Sequence, residues 1–495
     1  MTEPAEDLPE QMRVRQDKRA AMLAAGVDPY PVTAPRTHTL DQLRDRFDAD
    51  VLGADATTAE VVSVAGRVIF VRNTGKLCFA RLRAGDTEMQ VMVSLDAVGQ
   101  SSLDDFKALV DIGDHLSVTG EVVTSRRGEL SVRADSWQLA AKALRPLPVE
   151  HKPLNDETRV RMRYVDLIVR PEARDMVRMR AAVLATLRRV LSERGFVEVE
   201  TPILQSVHGG AAARPFHTHF NAFDQDMTLR IALEPHLKRA VVGGLEKVYE
   251  IGRNFRNEGI DSTHHPEFTM LEAYEAYGDY DTMADLTVEL IRSAARAVGR
   301  TSVTDGSGAT IDLEAEWREI TIEQSVSGAV GEPVTATTPV ENLRVVAAQH
   351  EIAVHPHWGS GEVLVELFEQ LVERTLLRPT FVKGFPLSTR PLARRHRNRA
   401  GLVEAWDLVI AGVEIATAYS ELSDPVEQRS RFEAQTRLAE AGDPEAMTLD
   451  EDFLRALEYG MPPTGGLGMG IDRVLQMLTG AGIRETILFP LVRPD

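Results

Sequence analysis

Residues 249–274, YEIGRNFRNEGIDSTHHPEFTMLEAY, place arginine, glutamate, histidine and aromatic side chains around one predicted turn between two strands. Arg256 and Glu258 lie at the mouth of the turn, where Gly259 gives the backbone freedom. The returning strand alternates four side chains on one face: Phe268, Met270, Glu272 and Tyr274. A carboxylate on a buried face needs a cationic partner or a ligand. The stretch therefore predicts either a ligand-binding hairpin, in which Arg256 holds a phosphate or carboxylate and Phe268 stacks on a planar ring, or a surface hairpin with solvated charges.

The composition is that of an ordinary folded protein. Its 495 residues predict two or more domains, and the contents of 43% hydrophobic and 26% charged residues are typical. Cys78, the single cysteine, excludes an intrachain disulfide and favours a reducing compartment. The start MTEPAEDLPEQ has no signal pattern, and no apolar run reaches the roughly 20 residues of a membrane helix. We therefore expect a cytoplasmic protein without membrane contact.

The net charge of −19 argues against a general nucleic-acid-binding surface, because such surfaces are usually basic. A local patch can still bind nucleic acid in an acidic protein. One candidate is the segment 390–399, RPLARRHRNR. The alternative is a solvated loop.

The first part of the chain predicts a helical arm followed by a small β-barrel. A helix of mixed charge over about residues 8–25 ends before Pro29. Five short strands rich in β-branched residues follow, at 61–71, 78–82, 89–93, 115–123 and 129–132. With one helix near residues 103–110, they predict a closed barrel of the OB type. The predicted boundaries are 1–60 for the arm, 61–142 for the barrel and 143–165 for a proline-rich linker.

The remainder, 166–495, predicts an antiparallel sheet with packed helices, so the chain as a whole is of the α+β class. A long amphipathic helix begins at Pro171 and ends before Gly195. Residues 196–201 predict a strand that ends at Pro202. A mainly helical insertion is predicted at about residues 320–377.

A second chemical element is AWDLVIAGVEIATAYSEL, residues 405–422, which predicts a hairpin with its turn at Ala411-Gly412. In that register Asp407 and Glu414 share one face as diagonal neighbours. Two such carboxylates repel each other unless a cation lies between them, and Mg²⁺ with substrate phosphates would suit. Alternatively each carboxylate pairs with an arginine. Simple alternation puts Thr417, Tyr419 and Glu421 on the opposite face, so a common site requires a bulge or twist near residues 416–418.

The third element is TGGLGMGIDRVLQML, residues 464–478. Its glycines leave a strand almost bare of side chains, which favours close approach of a ligand or another backbone. A helix follows with Arg473 in its first turn. The segment is neither a Walker loop nor a dinucleotide fingerprint.

Together these elements resemble the three signature motifs of class II aminoacyl-tRNA synthetases. GFVEVETPIL (195–204) resembles the first motif, with Pro202 at the dimer interface. GRNFRNEG (252–259) with HHPEFTMLE (264–272) resembles the second, and GGLGMGIDRV (465–474) the third. Within the class, the chain resembles the lysyl-tRNA synthetases over nearly its whole length through GGAAARPFHTH (209–219), LKRAVVGG (237–244), AYSELSDPVEQR (418–429) and the linker ALRPLP (143–148).

The resemblance implies ATP-dependent activation of L-lysine, transfer to tRNA(Lys), and a homodimer. Arg256, bridging the ATP α-phosphate and the lysine carboxylate, and Arg473, on the other side of the nucleotide, would be the catalytic residues. Further ATP contacts would come from Glu258, His264, Glu414 and Phe268, the last stacking on adenine. Asp407 and Glu414 would bind Mg²⁺, with more than one ion per subunit.

The resemblance also implies an amino-acid pocket and an anticodon site. Gly210 and Glu234 would hold the α-amino end of lysine, and Tyr274 and Glu421 its side-chain ammonium. The rest of the pocket would be formed by Arg256, Glu272, Thr417 and Tyr419. In the barrel, the anticodon contacts would be Arg72, Phe79 and Gln90, since stacking and hydrogen bonding are how such folds bind splayed bases.

Some residues depart from the family pattern. Pro235 follows Glu234 and removes a backbone donor, although it can sit in the first turn of a helix. Thr417 stands where many members have Asn, Ala418 where many have Gly, and Tyr419 replaces Phe. These changes bear on the shape of the lysine pocket.

Three other functions fit parts of the pattern. A protein-lysylating ligase would lack the OB domain, a lipid-lysylating fusion would need membrane helices, and a non-catalytic tRNA-binding paralogue would have lost Arg256, Glu414 or Arg473. The chain keeps all three of those residues.

Overall fold

The computed structural model describes residues 9–148, 154–306, 308–440, 447 and 449–493. The chain divides into two compact units. The first runs to Arg159 and includes Tyr164–Pro171, and the second comprises Val160–Arg163 and the chain from Glu172 onward. Residues 1–8 of the predicted arm, 149–153 of the predicted linker and the last two residues lie outside the described residues.

The first unit is built around a closed five-stranded barrel in the order β1-β2-β3-β5-β4. Up to the linker, its elements are α1 (Glu10–Ala24), α2 (Leu40–Arg46), α3 (Ala49–Leu52), β1 (Thr57–Asn73), β2 (Leu77–Ala84), β3 (Thr87–Ser94), α4 (Leu95–Val98), α5 (Gln100–Leu109), β4 (His115–Thr124) and β5 (Leu130–Ala141). Alternate strand residues such as Val64, Leu82 and Val91 fill the barrel, and Phe106 of α5 packs into the same core. This confirms the OB-type prediction, with strands longer than predicted.

The second unit is an α+β domain around one eight-stranded sheet. Two helices after the linker, α6 (Asp156–Arg161) and α7 (Arg163–Val169), are divided between the units, with most of their residues in the first. The elements of the second unit that follow them are α8 (Pro171–Glu193), β6 (Val197–Glu198), β7 (Leu204–Gln205), β8 (His217–Phe220), β9 (Gln225–Leu229), α9 (Glu234–Val242), β10 (Lys247–Phe255), β11 (Glu267–Ala276), α10 (Tyr280–Ala297), β12 (Ser302–Thr304), β13 (Thr310–Asp312), β14 (Arg318–Thr321), α11 (Ile322–Val330), α12 (Val340–Gln349), α13 (Ser360–Leu371), β15 (Thr380–Lys383), β16 (Ala405–Ile410), β17 (Val413–Ser420), α14 (Pro425–Glu440), α15 (Glu451–Glu458), β18 (Thr464–Gly470), α16 (Ile471–Thr479) and α17 (Ile483–Thr486).

The sheet order is β14-β15-β16-β17-β18-β11-β10-β6. Its central strands pair antiparallel, whereas β14 with β15 and β6 with β10 are parallel edge pairs. The apolar stripe of α8, including Val183 and Leu187, packs with α10 and α16 against one face of the sheet. The opposite face is therefore free to form the site.

Two local predictions were wrong in extent. The strand predicted at residues 196–201 is only the two-residue β6. The predicted turn between β10 and β11 is a loop from Arg256 to Pro266, because β10 ends at Phe255 and β11 begins at Glu267. No helix in the described part of the chain has the length and apolar character needed to cross a membrane.

Candidate active site

A cavity of about 1170 Å³ lies over the middle strands of the sheet. Its walls come from β11, β17 and β18, from the start of α9, and from the helices around α13. It is lined by ten residues that the sequence predicted for one site: Gly210, Glu234, Arg256, Glu272, Tyr274, Asp407, Glu414, Thr417, Tyr419 and Glu421. Residues separated by more than 200 positions therefore meet in one place.

Four other predicted residues, Glu258, His264, Phe268 and Arg473, are not among those lining the cavity. The Arg256 guanidinium lies 5.2 Å from the centre of the Phe268 ring. Arg473 Nη1 donates to Glu414 Oε1 at 3.1 Å, and its Nη2 lies 3.4 Å from His264 Nε2. Burial lowers the pKa of Arg256, and the charges of Glu258 and Glu414 oppose that shift. Phe268 thus lies beside Arg256, and His264 of the loop after β10 lies beside Arg473.

On the other side of Arg256 lies a pocket rich in buried carboxylates. Glu272 accepts a hydrogen bond from the Leu233 backbone N–H at 2.9 Å and another from the Tyr274 hydroxyl at 3.2 Å. Burial raises the pKa of Glu272 to about 7 and that of Glu421 to about 8. Burial and neighbouring carboxylates disfavour the ionised form of both groups, so a cationic ligand that contacts them would be favoured.

Sequence reasoning missed Lys238, which is fully buried behind this pocket. Its ammonium forms ion pairs with both Glu234 and Glu421. Although burial opposes its charged form, the two carboxylates raise the pKa of Lys238 above its usual value. The available signal was the spacing Glu234-x-x-x-Lys238, which puts both side chains on one helix face.

The hairpin of β16 and β17 has the predicted turn, with Val409 paired to Glu414. Leu408 pairs with Ala416, so Ile415 is an extra residue on β17. This bulge lies one residue before the predicted region of 416–418. It changes the pairing partner of Asp407 to Thr417, and it brings Glu414, Thr417, Tyr419 and Glu421 to the same cavity.

Asp407 and Glu414 each pair with an arginine, as the alternative interpretation of the hairpin expected. Arg390 Nη2 donates to Asp407 Oδ2 at 2.6 Å, and Arg473 binds Glu414. Asp407 Oδ1 is nevertheless buried without a hydrogen-bond partner in the described structure. Burial raises the pKa of Asp407, partly offset by Arg390.

Two further carboxylates from the helical insertion, Glu369 and Glu373, stand near this pair. Burial and neighbouring carboxylates raise the pKa of each to about 7. Within the described residues, no three His, Cys, Asp or Glu side chains are placed to hold a metal ion by themselves. The spare Asp407 oxygen and the surplus of carboxylates nevertheless fit Mg²⁺, which usually binds one or two carboxylates and completes its shell with waters and substrate phosphates.

Four of the five arginines in residues 390–399 form ion pairs. Besides Arg390, Arg395 pairs with Glu427, Arg397 with Asp279 and Glu404, and Arg399 with Glu323. Because Arg394, Arg395 and Arg397 remain exposed, the nucleic-acid patch and the solvated loop both stay predictions.

The close neighbours of strand β18 explain why Gly466 is a glycine. A Cβ on Gly466 would lie 1.9 Å from Glu421 Oε1 and 2.6 Å from Tyr274 Cε1. Real Cβ atoms do not approach so closely, so only glycine fits beside the two pocket residues. The bare strand therefore gives the ligand pocket its floor.

The match to the family described as tRNA synthetases class II (D, K and N) covers residues 155–493, and the match to the OB-fold nucleic acid binding domain covers residues 62–140. Lysine--tRNA ligase 1 of Mycobacterium tuberculosis (strain ATCC 25618 / H37Rv) is 57% identical over 498 residues, 99% of this chain and 98% of that protein. The chain belongs to the lysine–tRNA ligase family of class II tRNA synthetases.

Two other relatives help to define its extent. Lysine--tRNA ligase of Mycolicibacterium gilvum (strain PYR-GCK) is 58% identical over 499 residues, covering 100% of this chain and 99% of that protein. The Lysylphosphatidylglycerol biosynthesis bifunctional protein of Mycobacterium sp. (strain KMS) is 50% identical over 503 residues, but the match is only 44% of that protein. The chain thus spans the length of the lysine–tRNA ligases it matches.

The barrel of this lysine–tRNA ligase family member brings the predicted anticodon residues onto one outer face. Arg72 pairs with Phe79 across β1 and β2, and its guanidinium lies 4.9 Å from the centre of the Phe79 ring. Gln90 follows on β3 and donates to Ser131 Oγ at 2.9 Å. A half-buried ring beside a cation and an amide can stack on a base and hydrogen-bond to it.

Pro235, Thr417 and Ala418, which depart from the family pattern, each fit their surroundings in the structure. Pro235 lies in the first turn of α9, where its missing N–H costs little. It also packs on Gly210, whose φ of +87° favours glycine and whose added Cβ would lie 2.8 Å from Pro235 Cδ. Ala418 packs into the hydrophobic core, and Thr417 pairs with Asp407.

Proposed function

We propose that the protein activates L-lysine with ATP to form lysyl-adenylate and then transfers the lysyl group to the 3′ end of tRNA(Lys). The observation that carries this proposal is the position of Arg256. It lines the cavity between a carboxylate-rich pocket and the residues assigned to the nucleotide. A guanidinium there can hold the substrate carboxylate and the α-phosphate together.

In this proposal the pocket selects a molecule with two ammonium groups. Gly210 and Glu234 hold the α-amino end, and Tyr274 with Glu421 receives the side-chain ammonium. Glu272, Thr417 and Tyr419 complete the wall. An ammonium in a dry site needs carboxylate partners, and burial has already raised the pKa values of Glu272 and Glu421 in the free protein.

On the nucleotide side, Phe268 stacks on adenine, while Glu258, His264 and Arg473 contact ATP. The lysine carboxylate attacks the α-phosphorus, a C–O–P linkage forms, and pyrophosphate leaves. A terminal ribose hydroxyl of the tRNA then attacks the acyl carbon and AMP leaves. Neither step needs a protein nucleophile, so Arg256 and Arg473 act by positioning and charge neutralisation.

Asp407 and Glu414 would hold Mg²⁺, and we propose more than one ion per subunit. The bound metal would supply neutralisation of phosphate charge. Before it binds, Arg390 and Arg473 hold the two carboxylates in place.

The activity is tested by pyrophosphate exchange into ATP and by charging of tRNA. We expect exchange only when lysine is added, followed by lysine incorporation into tRNA(Lys). Equal exchange with another amino acid would contradict the specificity. Exchange without tRNA charging, but with lysine transfer to a protein, would instead indicate a protein-lysylating ligase, and absence of exchange a non-catalytic paralogue.

Anticodon binding by Arg72, Phe79 and Gln90 is tested by Phe79→Ala. Loss of one base stack costs about 1–3 kcal/mol, so we expect kcat/KM for tRNA to fall about five- to 150-fold. Lysine-dependent exchange, which uses no tRNA, should be unchanged. Val61→Ala, which removes an exposed apolar side chain from the neighbouring strand β1, is the matched control. Equal charging by Phe79→Ala and wild type would remove Phe79 from the site.

We also propose a homodimer in the cytoplasm, with the barrel as a separate anticodon-binding domain over residues 61–142. The segment containing Pro202 carries exposed apolar side chains on both sides of it, including Val197, Ile203 and Leu204. Such a surface suits a subunit interface. Light scattering should give twice the mass of one chain, and the mass of a single chain would contradict the dimer.

A further inference from the structure

Lys238 is a buried cation that no step of the proposed reaction uses. It lies on α9 one helical turn after Glu234, and its side chain is completely inaccessible to solvent. Its ammonium contacts Glu234 Oε1 and Glu421 Oε2. The phenyl ring of Phe453 lies 5.9 Å from Nζ and packs beside it. A lysine of the protein is thus already paired with the two carboxylates assigned to the substrate lysine.

The geometry places Lys238 behind these carboxylates rather than in the ligand space. Glu234 and Glu421 line the cavity, and Lys238 is not among the lining residues. Glu421 Oε1, the oxygen that Lys238 does not contact, lies over Gly466 on the cavity wall. Each glutamate can therefore bind Lys238 with one oxygen and present the other to a ligand.

The balance of charges in the pocket indicates what Lys238 contributes to the site. Glu234, Glu272 and Glu421 supply three carboxylates, and Lys238 neutralises one of them. When an ammonium ligand keeps all three carboxylates ionised, two negative charges remain, equal to the two ammonium groups of lysine, while the substrate carboxylate faces Arg256. We propose that Lys238 is a positioning residue that sets amino-acid specificity, by holding Glu234 and Glu421 in their binding orientation and by matching the pocket charge to a dication.

The physical reason is that buried carboxylates do not stay ionised and aligned without a fixed partner. Without Lys238, three like charges would share one dry pocket, and a proton would neutralise one of them. A protonated carboxyl is a poor partner for an ammonium. The loss should therefore appear in lysine binding and not in ATP binding.

This inference rests on the proposed function, and the test uses Lys238→Met in the full-length chain. Methionine keeps most of the side-chain volume and removes the charge. We expect the KM for lysine in pyrophosphate exchange to rise at least about tenfold and the KM for ATP to change less than about twofold. The matched control is Lys142→Met in the barrel, because Lys142 is equally buried and pairs with Asp111 at 2.5 Å and Asp114 at 2.7 Å.

The control separates a role in the site from a general loss of stability. Lys142→Met should lower the melting temperature without changing either KM. An unchanged lysine KM in Lys238→Met, or equal rises in the KM values for lysine and ATP, would overturn the proposal. If Lys238→Met does not fold, the proposal is tested with Lys238→Arg instead. Its displaced charge should raise the lysine KM alone, and a wild-type value would overturn the proposal. Absence of lysine-dependent exchange in the wild type would instead contradict the proposed function itself.

Discussion

A Gly466→Ala variant is expected to lose lysine-dependent pyrophosphate exchange while it still binds ATP. The added Cβ would stand 1.9 Å from Glu421 Oε1 and 2.6 Å from Tyr274 Cε1. Both atoms belong to residues that the proposed function assigns to the substrate ammonium. One methyl group would therefore displace the groups that recognise lysine.

The neighbours of Gly466 have little room to move away. Lys238 holds the Glu421 carboxylate, and Tyr274 is buried with its hydroxyl bonded to Glu272. A misplacement of about 1 Å in a catalytic site can cost about 100-fold in rate. Because two recognition residues are displaced together, we expect kcat/KM for lysine to fall by about 1,000-fold.

Gly468→Ala on the same strand is the matched control for that experiment. Its nearest neighbour would be Met270 Cε at 3.3 Å, the end of a flexible side chain. Exchange should stay within about fivefold of wild type, with ATP binding measured for both variants by calorimetry. A Gly466→Ala protein with a normal lysine KM would show that the pocket lies elsewhere.

Gly466 and Gly468 have different neighbours, and the sequence alone did not predict that difference. The GGLGMG segment predicted close approach to a ligand, but not which glycine contacts which side chain. The barrel, the antiparallel sheet and the order of elements were predictable because alternation, turns and glycines act locally. Ten of the predicted site residues line one cavity, and the sequence suggested this grouping because three long motifs resemble those of one family. Their roles stay predictions.

Several features depend on contacts between distant segments and could not be predicted. Arg390 reaches Asp407 through the fold of the 390–399 segment, although that segment suggested a basic surface. Glu369 and Glu373 come from the helical insertion, whose packing on the cavity has no sequence signature. The bulge at Ile415 was inferred only as a requirement of a common site, and it lies beside the predicted region of 416–418.

An Arg256→Lys variant should lose most of the catalytic rate while its fold is retained. Arg256 is half-buried with its guanidinium 5.2 Å from the centre of the Phe268 ring, and its buried Nε has no hydrogen-bond partner among the described residues. Lysine keeps the charge but cannot offer two parallel donors to a carboxylate and a phosphate at once. Removing one such transition-state donor costs about 100- to 1,000-fold in kcat, so we expect a loss of that size in lysyl-adenylate formation.

Arg253→Lys is the control, because Arg253 lies near the end of β10, three residues before Arg256, and pairs only weakly with Glu267, at 3.7 Å, outside the cavity. It should keep kcat within about twofold of wild type in single-turnover measurements. The two substitutions make the same chemical change, but only Arg256 has its guanidinium at the junction between the carboxylate pocket and the nucleotide side. Equal rates for Arg256→Lys and Arg253→Lys would mean that charge alone suffices at that junction, and the bridging role of Arg256 would then have to be abandoned.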